Sequence, residues 1–243
     1  MRLVVLDLGN TALKVGVFQQ DVLIDRAVFQ PNELQAIAVF CAEQLAIGSA
    51  FFAASVASIA VTEKLKTLLP LQTRWLDQSM NLPIFLEYPR TSLGVDRIAN
   101  AAGVERFSLG SPAIIVDLGT CLKIDFVKDK TFLGGNISLG YAKRLQALAD
   151  YTGKLPLLMP LEYRTDVMQN TTQDCMYNAT YQGVLAEIFH FIALFQKKYP
   201  ENKVFLTGGE KKYFENRIRS HIFVQECPDL TLWGLRDIFF YNL

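Results

Sequence analysis

Leu3-Val4-Val5-Leu6-Asp7-Leu8-Gly9-Asn10-Thr11-Ala12-Leu13-Lys14 stands near the start of the chain. Ala113-Ile114-Ile115-Val116-Asp117-Leu118-Gly119-Thr120-Cys121-Leu122-Lys123 restates it, with the two aspartates 110 residues apart. In each copy an apolar run suited to a buried strand ends in Asp-x-Gly, and a second apolar run follows, 15–18 in the first and 124–127 in the second. Strand, tight turn, strand, used twice, predicts two related half-domains facing each other across a cleft.

The chemistry of such a turn is specific. Glycine permits positive φ and lets a ligand approach the main chain closely. Successive N–H groups, with the polar groups of Asn10, Thr11 and Thr120, suit phosphate oxygens. Asp7 and Asp117 would attract a hydrated cation riding on those phosphates. The same residue types also punctuate an ordinary β-hairpin. One copy would favour the hairpin alone, whereas two at equivalent places favour phosphate binding.

At 243 residues the chain has room for one large domain or two small ones sharing a cleft. Half of it is apolar (51%), enough for a substantial core. Its 24 basic residues equal its 24 acidic ones and form no basic run, so bulk charge gives no basis for nucleic-acid binding. No apolar run is long enough to span a bilayer, and residues 1–6 are too short for a signal peptide, so no membrane role is expected. Cys41, Cys121, Cys175 and Cys227 are widely spaced with no Cys-x-x-Cys, which reads as buried or incidental thiols in a reducing cytoplasm. His190 and His221 are the only histidines, too few for a histidine-rich metal site. His190, amid Ile188-Phe189-His190-Phe191-Ile192, reads as a core or interface residue.

Periodicity predicts strands at 2–8, 13–18 and 22–29, a helix to about 47 capped by Asn32, a strand at 49–55, a helix over 58–69 and a strand at 73–76. Residues 77–93 read as an irregular connection leading into a helix that ends near Phe107. The second half is expected to hold strands at 112–117, 122–128 and 131–137, a helix over 141–151, an extended loop over 152–170 and a long helix over 173–198. A strand at 203–206, a helix to about 218, a strand at 222–225 and an amphipathic last helix complete it. The halves divide at 1–110 and 111–243, each a mixed α/β unit.

Two further clusters bear on chemistry. Thr207-Gly208-Gly209 follows a strand at the end where α/β folds place ligands, although a plain helix-entry turn uses the same residues. No Gly-x-x-x-x-Gly-Lys-Ser/Thr occurs, so a nucleotide site here is not a P-loop. A helix starting near Gly94 would put Asp96 in its first turn, where backbone dipoles favour the charged carboxylate. An ionised aspartate there suits a proton acceptor in phosphoryl transfer, and Arg97 offers a planar fork for a substrate carboxylate. A surface Asp-Arg pair at a helix start is the simpler alternative.

Taken together, these motifs resemble the type III pantothenate kinases, of the superfamily of acetate and sugar kinases, heat-shock chaperones and actin. The resemblance covers nearly the whole chain, in family order: Asp7-x-Gly-Asn-Thr-x-x-Lys14, then Tyr88 with Gly94-x-Asp96-Arg97, Asp117-x-Gly-Thr120, Gly134-Gly135-x-Ile137-x-x-Gly140, Asn170-Thr171 and Thr207-Gly208-Gly209. It implies two ribonuclease-H-like (actin-like) mixed-sheet half-domains flanking a nucleotide cleft. It implies ATP with magnesium, bound by Asp7, Leu8, Gly9, Asn10, Thr11, Ala12, Leu13, Lys14 and Thr120. Asp96 would be the catalytic base, and Tyr88, Gly94, Val95, Asp96, Arg97 and Thr171 would hold pantothenate. Asp117 would be the ligand of a monovalent cation, potassium or ammonium. A cytoplasmic homodimer is implied too, with the helix over 173–198 a candidate for its interface.

Departures from the family pattern are local. The usual Gly-Thr-Ala-x-Thr is Gly119-Thr120-Cys121-Leu122-Lys123, the proline before the last glycine of the Gly-Gly-x-Ile motif is Leu139, and a glycine after the substrate threonine is Asn178. The Lys123 ammonium would reach the phosphates or the cation site, or point to solvent. Two other functions share the same loops: a non-catalytic nucleotide-binding accessory regulator, and a kinase of another small hydroxy acid.

Overall fold

The computed structural model describes residues 1–163 and 167–243. In chain order its elements are β1 (Arg2–Leu8), β2 (Leu13–Gln19), β3 (Val22–Phe29), α1 (Leu34–Ala46), β4 (Ala50–Ser55), α2 (Ile59–Leu68), β5 (Arg74–Trp75), β6 (Phe85–Leu86) and α3 (Val95–Ser108). There follow β7 (Ala113–Leu118), β8 (Cys121–Lys128), β9 (Thr131–Leu139), α4 (Tyr141–Asp150), α5 (Thr172–Lys198), β10 (Lys203–Thr207), α6 (Glu215–Arg219), β11 (Gln225–Glu226) and α7 (Leu230–Tyr241). The chain forms two compact units: 1–107 with 130–132 and 229–243, and 108–129 with 133–228.

The first unit is built on a sheet of order β3-β2-β1-β4-β5, with β1 antiparallel to β2 and parallel to β4. β1 is apolar on both faces because both are covered. Val4, Leu6 and Leu8 join Leu34, Ile37 and Cys41 of α1 and Leu65 of α2 in one core. On the sheet α7 packs against β1, β2 and β4, with Trp233 edge-on to Phe18 at 4.9 Å and Phe239 against Phe52 at 5.6 Å. α7 also meets α3 backbone to backbone. A Cβ on Gly234 would stand 1.7 Å from the Ala99 carbonyl oxygen, and one on Gly103 2.6 Å from that of Leu230. Beside this crossing the Thr231 hydroxyl donates to Asn100 at 2.9 Å, both side chains buried. The helix that closes the sequence thus belongs by packing to the first unit, an exchange that a contiguous division at 110 does not contain.

The second unit has its five strands in the corresponding order, β9-β8-β7-β10-β11. β7 is antiparallel to β8 and parallel to β10, as β1 is to β2 and β4. The sequence repeat is therefore a repeat of topology. Ile114, Val116 and Leu118 of β7 and Leu122 and Ile124 of β8 pack with Leu145 of α4 and Val184 and Ile188 of α5. β8 and β9 are joined by Asp129 and Lys130, both at positive φ, the backbone of a tight two-residue hairpin turn.

Several expectations need correction. Asn32 does not cap α1: the cap position is Glu33, whose side chain instead accepts from the Gln30 N–H at 2.6 Å. The helix expected after Gly209 is a 3-10 turn at Lys211–Tyr213 followed by the single turn of α6, and the strand expected at 222–225 is only Gln225–Glu226. The connection 77–93 contains a short strand, β6, paired in parallel with Thr131 and Phe132. His190 is exposed, not a core residue. All four cysteines are free thiols, and burial pushes Cys41 up to about 12 and Cys227 to about 11, so both are inert. Among the described residues no helix is long and apolar enough to cross a membrane.

Candidate active site

The first loop is the turn between β1 and β2. Leu8 and Leu13 are the last register partners, leaving residues 9–12 to turn, and the Gly9 N–H donates to the Ala12 carbonyl at 3.1 Å. Its shape is a β-hairpin. Asn10 and Thr11 are exposed at the tip, while Asp7, in the strand, is only 9% exposed. Lys14 lies across the ladder from Asp7 and is partly exposed.

Positive φ is not what the glycines of the two turns provide, since neither Gly9 nor Gly119 adopts it. Gly9 is needed for space, because a Cβ there would come 2.9 Å from the Ala12 oxygen. A Cβ on Gly119 would meet its nearest atoms at an ordinary 3.9 Å, so no crowding within the fold accounts for this glycine.

The second loop is shorter: Leu118 and Leu122 pair, leaving 119–121. It is also clamped. The Gly140 N–H donates to the Thr120 carbonyl at 3.0 Å and the Glu210 N–H to that of Leu118 at 2.8 Å. A Cβ on Gly140 would stand 1.9 Å from the Gly119 oxygen; one on Gly208, which sits at φ +93°, 2.1 Å from the Leu118 oxygen. Two of the glycine motifs seen in the sequence therefore exist so that other backbone can abut this loop. The Glu210 carboxylate accepts from the Tyr141 and Ala142 N–H groups at 2.8 and 3.1 Å, capping α4. Burial raises its pKa against the opposing pull of those two donors.

Beneath the second loop Lys123 Nζ lies 2.8 Å from Asp117 Oδ2, the two residues being register partners on β7 and β8. Their side chains are only 13% and 12% exposed. Lys123 points neither to solvent nor to an open site; it is held by Asp117.

The third cluster is at the start of α3. Gly94 accepts the first helical bonds, from the Arg97 and Ile98 N–H groups at 3.0 and 3.1 Å, and Asp96 stands in the first turn as expected. Asp96 Oδ1 accepts from the Arg97 N–H at 2.9 Å, and a Cβ on Gly94 would come 2.6 Å from that oxygen. Gly94 thus leaves the carboxylate the space it occupies. Arg97 is buried, its guanidinium 5.8 Å from the Tyr88 ring and 5.3 Å from that of Phe132, which meet edge to face at 6.0 Å. The structure so brings Tyr88, Asp96 and Arg97 together and adds Phe132, which no sequence signal distinguishes from an ordinary strand residue. Thr171, in the second unit, caps α5: its hydroxyl accepts from the Asp174 N–H at 3.1 Å and donates to the Asp174 carboxylate at 2.5 Å.

Among the described residues no group of three or more His, Cys, Asp or Glu could hold a metal ion. A hydrated magnesium ion carried on nucleotide phosphates would meet Asp7 as the carboxylate of the first loop. A monovalent cation does not fit at Asp117, because the ammonium of Lys123 already stands against the carboxylate that would bind it.

Two mixed sheets with matching strand order, each with an Asp-x-Gly turn after its central strand, define an actin-like α/β protein. Solved structures agree on the fold: a Baf family protein from Campylobacter jejuni is 19% identical with a TM-score of 0.61, covering 98% of both chains. The (R)-2-hydroxyglutaryl-CoA dehydratase component A of Acidaminococcus fermentans is 11% identical with a TM-score of 0.59 over 100% of both. The family is set by sequence. The type III pantothenate kinase family model matches residues 3–193. The type III pantothenate kinase of Cytophaga hutchinsonii is 35% identical, with 99% of each chain covered, and that of Bacteroides fragilis 33%, with 98% and 97% covered. The chain belongs to the type III pantothenate kinase family.

Proposed function

We propose that this kinase transfers the γ-phosphoryl group of ATP to the primary hydroxyl of pantothenate, giving ADP and 4′-phosphopantothenate, the first step towards coenzyme A. The observation that carries the reading is the cluster at the start of α3, where a carboxylate at a helix N-terminus adjoins a guanidinium set among aromatic rings. The substrate hydroxyl oxygen forms a bond to the γ-phosphorus, the bond from that phosphorus to the bridging oxygen of ADP breaks, and the hydroxyl proton passes to Asp96. The Arg97 N–H donates to Asp96 Oδ1 and holds the carboxylate in the first turn of α3. Arg97, oriented by the faces and edges of Tyr88 and Phe132, is assigned to the pantothenate carboxylate.

Residues 7–14 are assigned to the ATP phosphates, with Lys14 neutralising charge as it develops, and Thr120 to the nucleotide. Magnesium supplies charge neutralisation when carried in on the phosphates. Gly94 and Val95 are assigned to pantothenate, as is Thr171, whose hydroxyl caps α5. Each unit contributes one phosphate loop to the function, the first also carrying the catalytic aspartate. We place a homodimer contact on α5, where exposed Leu194 and His190 accompany a groove of about 310 Å³ bordered by Ile137, Glu187 and Phe191. A cytoplasmic location accords with four free thiols.

Asp96→Asn tests the assignment. It should keep nucleotide binding and lower turnover by roughly 10²–10⁴-fold, the span of general-base catalysis. Near-native turnover in that variant would remove Asp96 from the mechanism.

A further inference from the structure

We propose that Lys123 supplies, from within the chain, the positive charge that Asp117 would otherwise take from a bound monovalent cation, so that the second loop works without potassium or ammonium. The inference rests on the kinase reading above and departs from the family's expected cation at this point.

Three observations carry it. Asp117 and Lys123 are directly opposed on β7 and β8, so the ladder itself fixes the lysine against the carboxylate. The ammonium lies 2.8 Å from Asp117 Oδ2, a charge-assisted contact. Both side chains are nearly buried, at 13% and 12% exposure, so the pair is only weakly screened by water. A second cation at the same carboxylate would face a like charge at close range in a poorly solvated place, which disfavours its binding. The family pattern has threonine where Lys123 stands: a hydroxyl that can ligate a cation has been exchanged for a cation on a tether. Lys14 has the same register relation to Asp7, but its turn is one residue longer.

The test uses the full-length protein freed of monovalent salts by dialysis into choline chloride. Turnover with ATP and pantothenate, and the thermal midpoint of the same samples, are measured in choline, sodium, potassium and ammonium chlorides. For the native protein, turnover should agree within about twofold across the salts at matched ionic strength, where screening is equal. Its midpoint should be the same in potassium as in choline. Lys123→Thr, which removes the ammonium and restores a hydroxyl, should lose about tenfold or more in choline and recover in potassium or ammonium. Its midpoint should rise with potassium. Lys123→Arg should keep the native indifference to potassium, whatever its rate.

Potassium-dependent turnover or a potassium-dependent midpoint in the native protein would overturn the proposal, as would a Lys123→Thr variant that stays fully active and indifferent. If Lys123→Thr does not fold, the native protein and Lys123→Arg decide by the same criteria. Should no sample turn over pantothenate in any salt, the kinase reading fails by itself. The midpoints then still report the cation: a potassium response in Lys123→Thr alone supports the tethered charge, and one in the native protein refutes it.

Discussion

The two Asp-x-Gly loops have the same place in the same strand order, yet they are built differently. The first is a plain four-residue hairpin turn whose tip, Asn10 and Thr11, is exposed. The second turns in three residues, holds its lysine 2.8 Å from its aspartate, and is gripped by Gly140 on one side and by Gly208 and Glu210 on another. Related sequences have thus been given an open loop and a clamped one. The open loop presents the Asn10 and Thr11 side chains at its tip. The clamped loop has its electrostatics settled internally and gains rigidity from its neighbours.

The comparison can be broken by treating the loops alike. Lys14→Ala should show the largest effect, a loss of about 10²–10³-fold in kcat/KM for ATP, comparable to removing one preorganised donor. Folding stability should stay within about 0.5 kcal/mol, since the side chain is partly exposed. Equal losses of activity and stability would show that Lys14 is structural and that the contrast with Lys123 is false. Gly140→Ala should do the reverse. Its methyl group would overlap the Gly119 oxygen, so the loop must shift, at about 1–3 kcal/mol of stability by chemical denaturation. An unchanged denaturation midpoint would mean that the second loop is not clamped.

Glu210→Gln is the finest probe. A glutamine keeps one acceptor but turns an amide donor towards the second N–H of the pair, at a cost of about 1–3 kcal/mol. The pH dependence has a definite sign. The Glu210 pKa is raised by burial, so the folded state binds its proton more tightly than the unfolded state does. This group's contribution to stability is therefore greatest at low pH and falls as pH rises through the raised pKa. Glu210→Gln should flatten that stretch of the stability profile. A native profile unchanged by the substitution would show that the Glu210 carboxylate capping α4 does not set this pH dependence.

Much of this was legible in the sequence for reasons that now have coordinates. Alternating and continuous apolar runs located the principal strands because burial on one or both faces of a sheet writes that pattern directly. The repeated Asp-x-Gly turn pointed to duplicated topology, and Gly94-x-Asp96-Arg97 pointed to a helix start, because both are local devices. What stayed hidden was long-range. Nothing around Gly234 announces that its partner is Ala99, so α7 reads as part of the half that precedes it. Phe132 looks like any strand residue until Arg97 and Tyr88 arrive beside it. Gly140 and Gly208 stand in motifs of the sequence, but only the structure shows that each lets backbone approach backbone. Lys123 was visible as a departure, but only the β7–β8 register shows where its charge goes.

The most direct measurement of the central claim is product formation by the purified protein with ATP and magnesium, comparing pantothenate with pantothenol, which has the same hydroxyl but no carboxylate. The account predicts ADP and 4′-phosphopantothenate in equal amounts. It also predicts a kcat/KM for pantothenol lower by about tenfold to a hundredfold, the worth of hydrogen bonds to a charged group. Protein that binds ATP yet forms no phosphorylated pantothenate, or that takes both alcohols equally well, would contradict it.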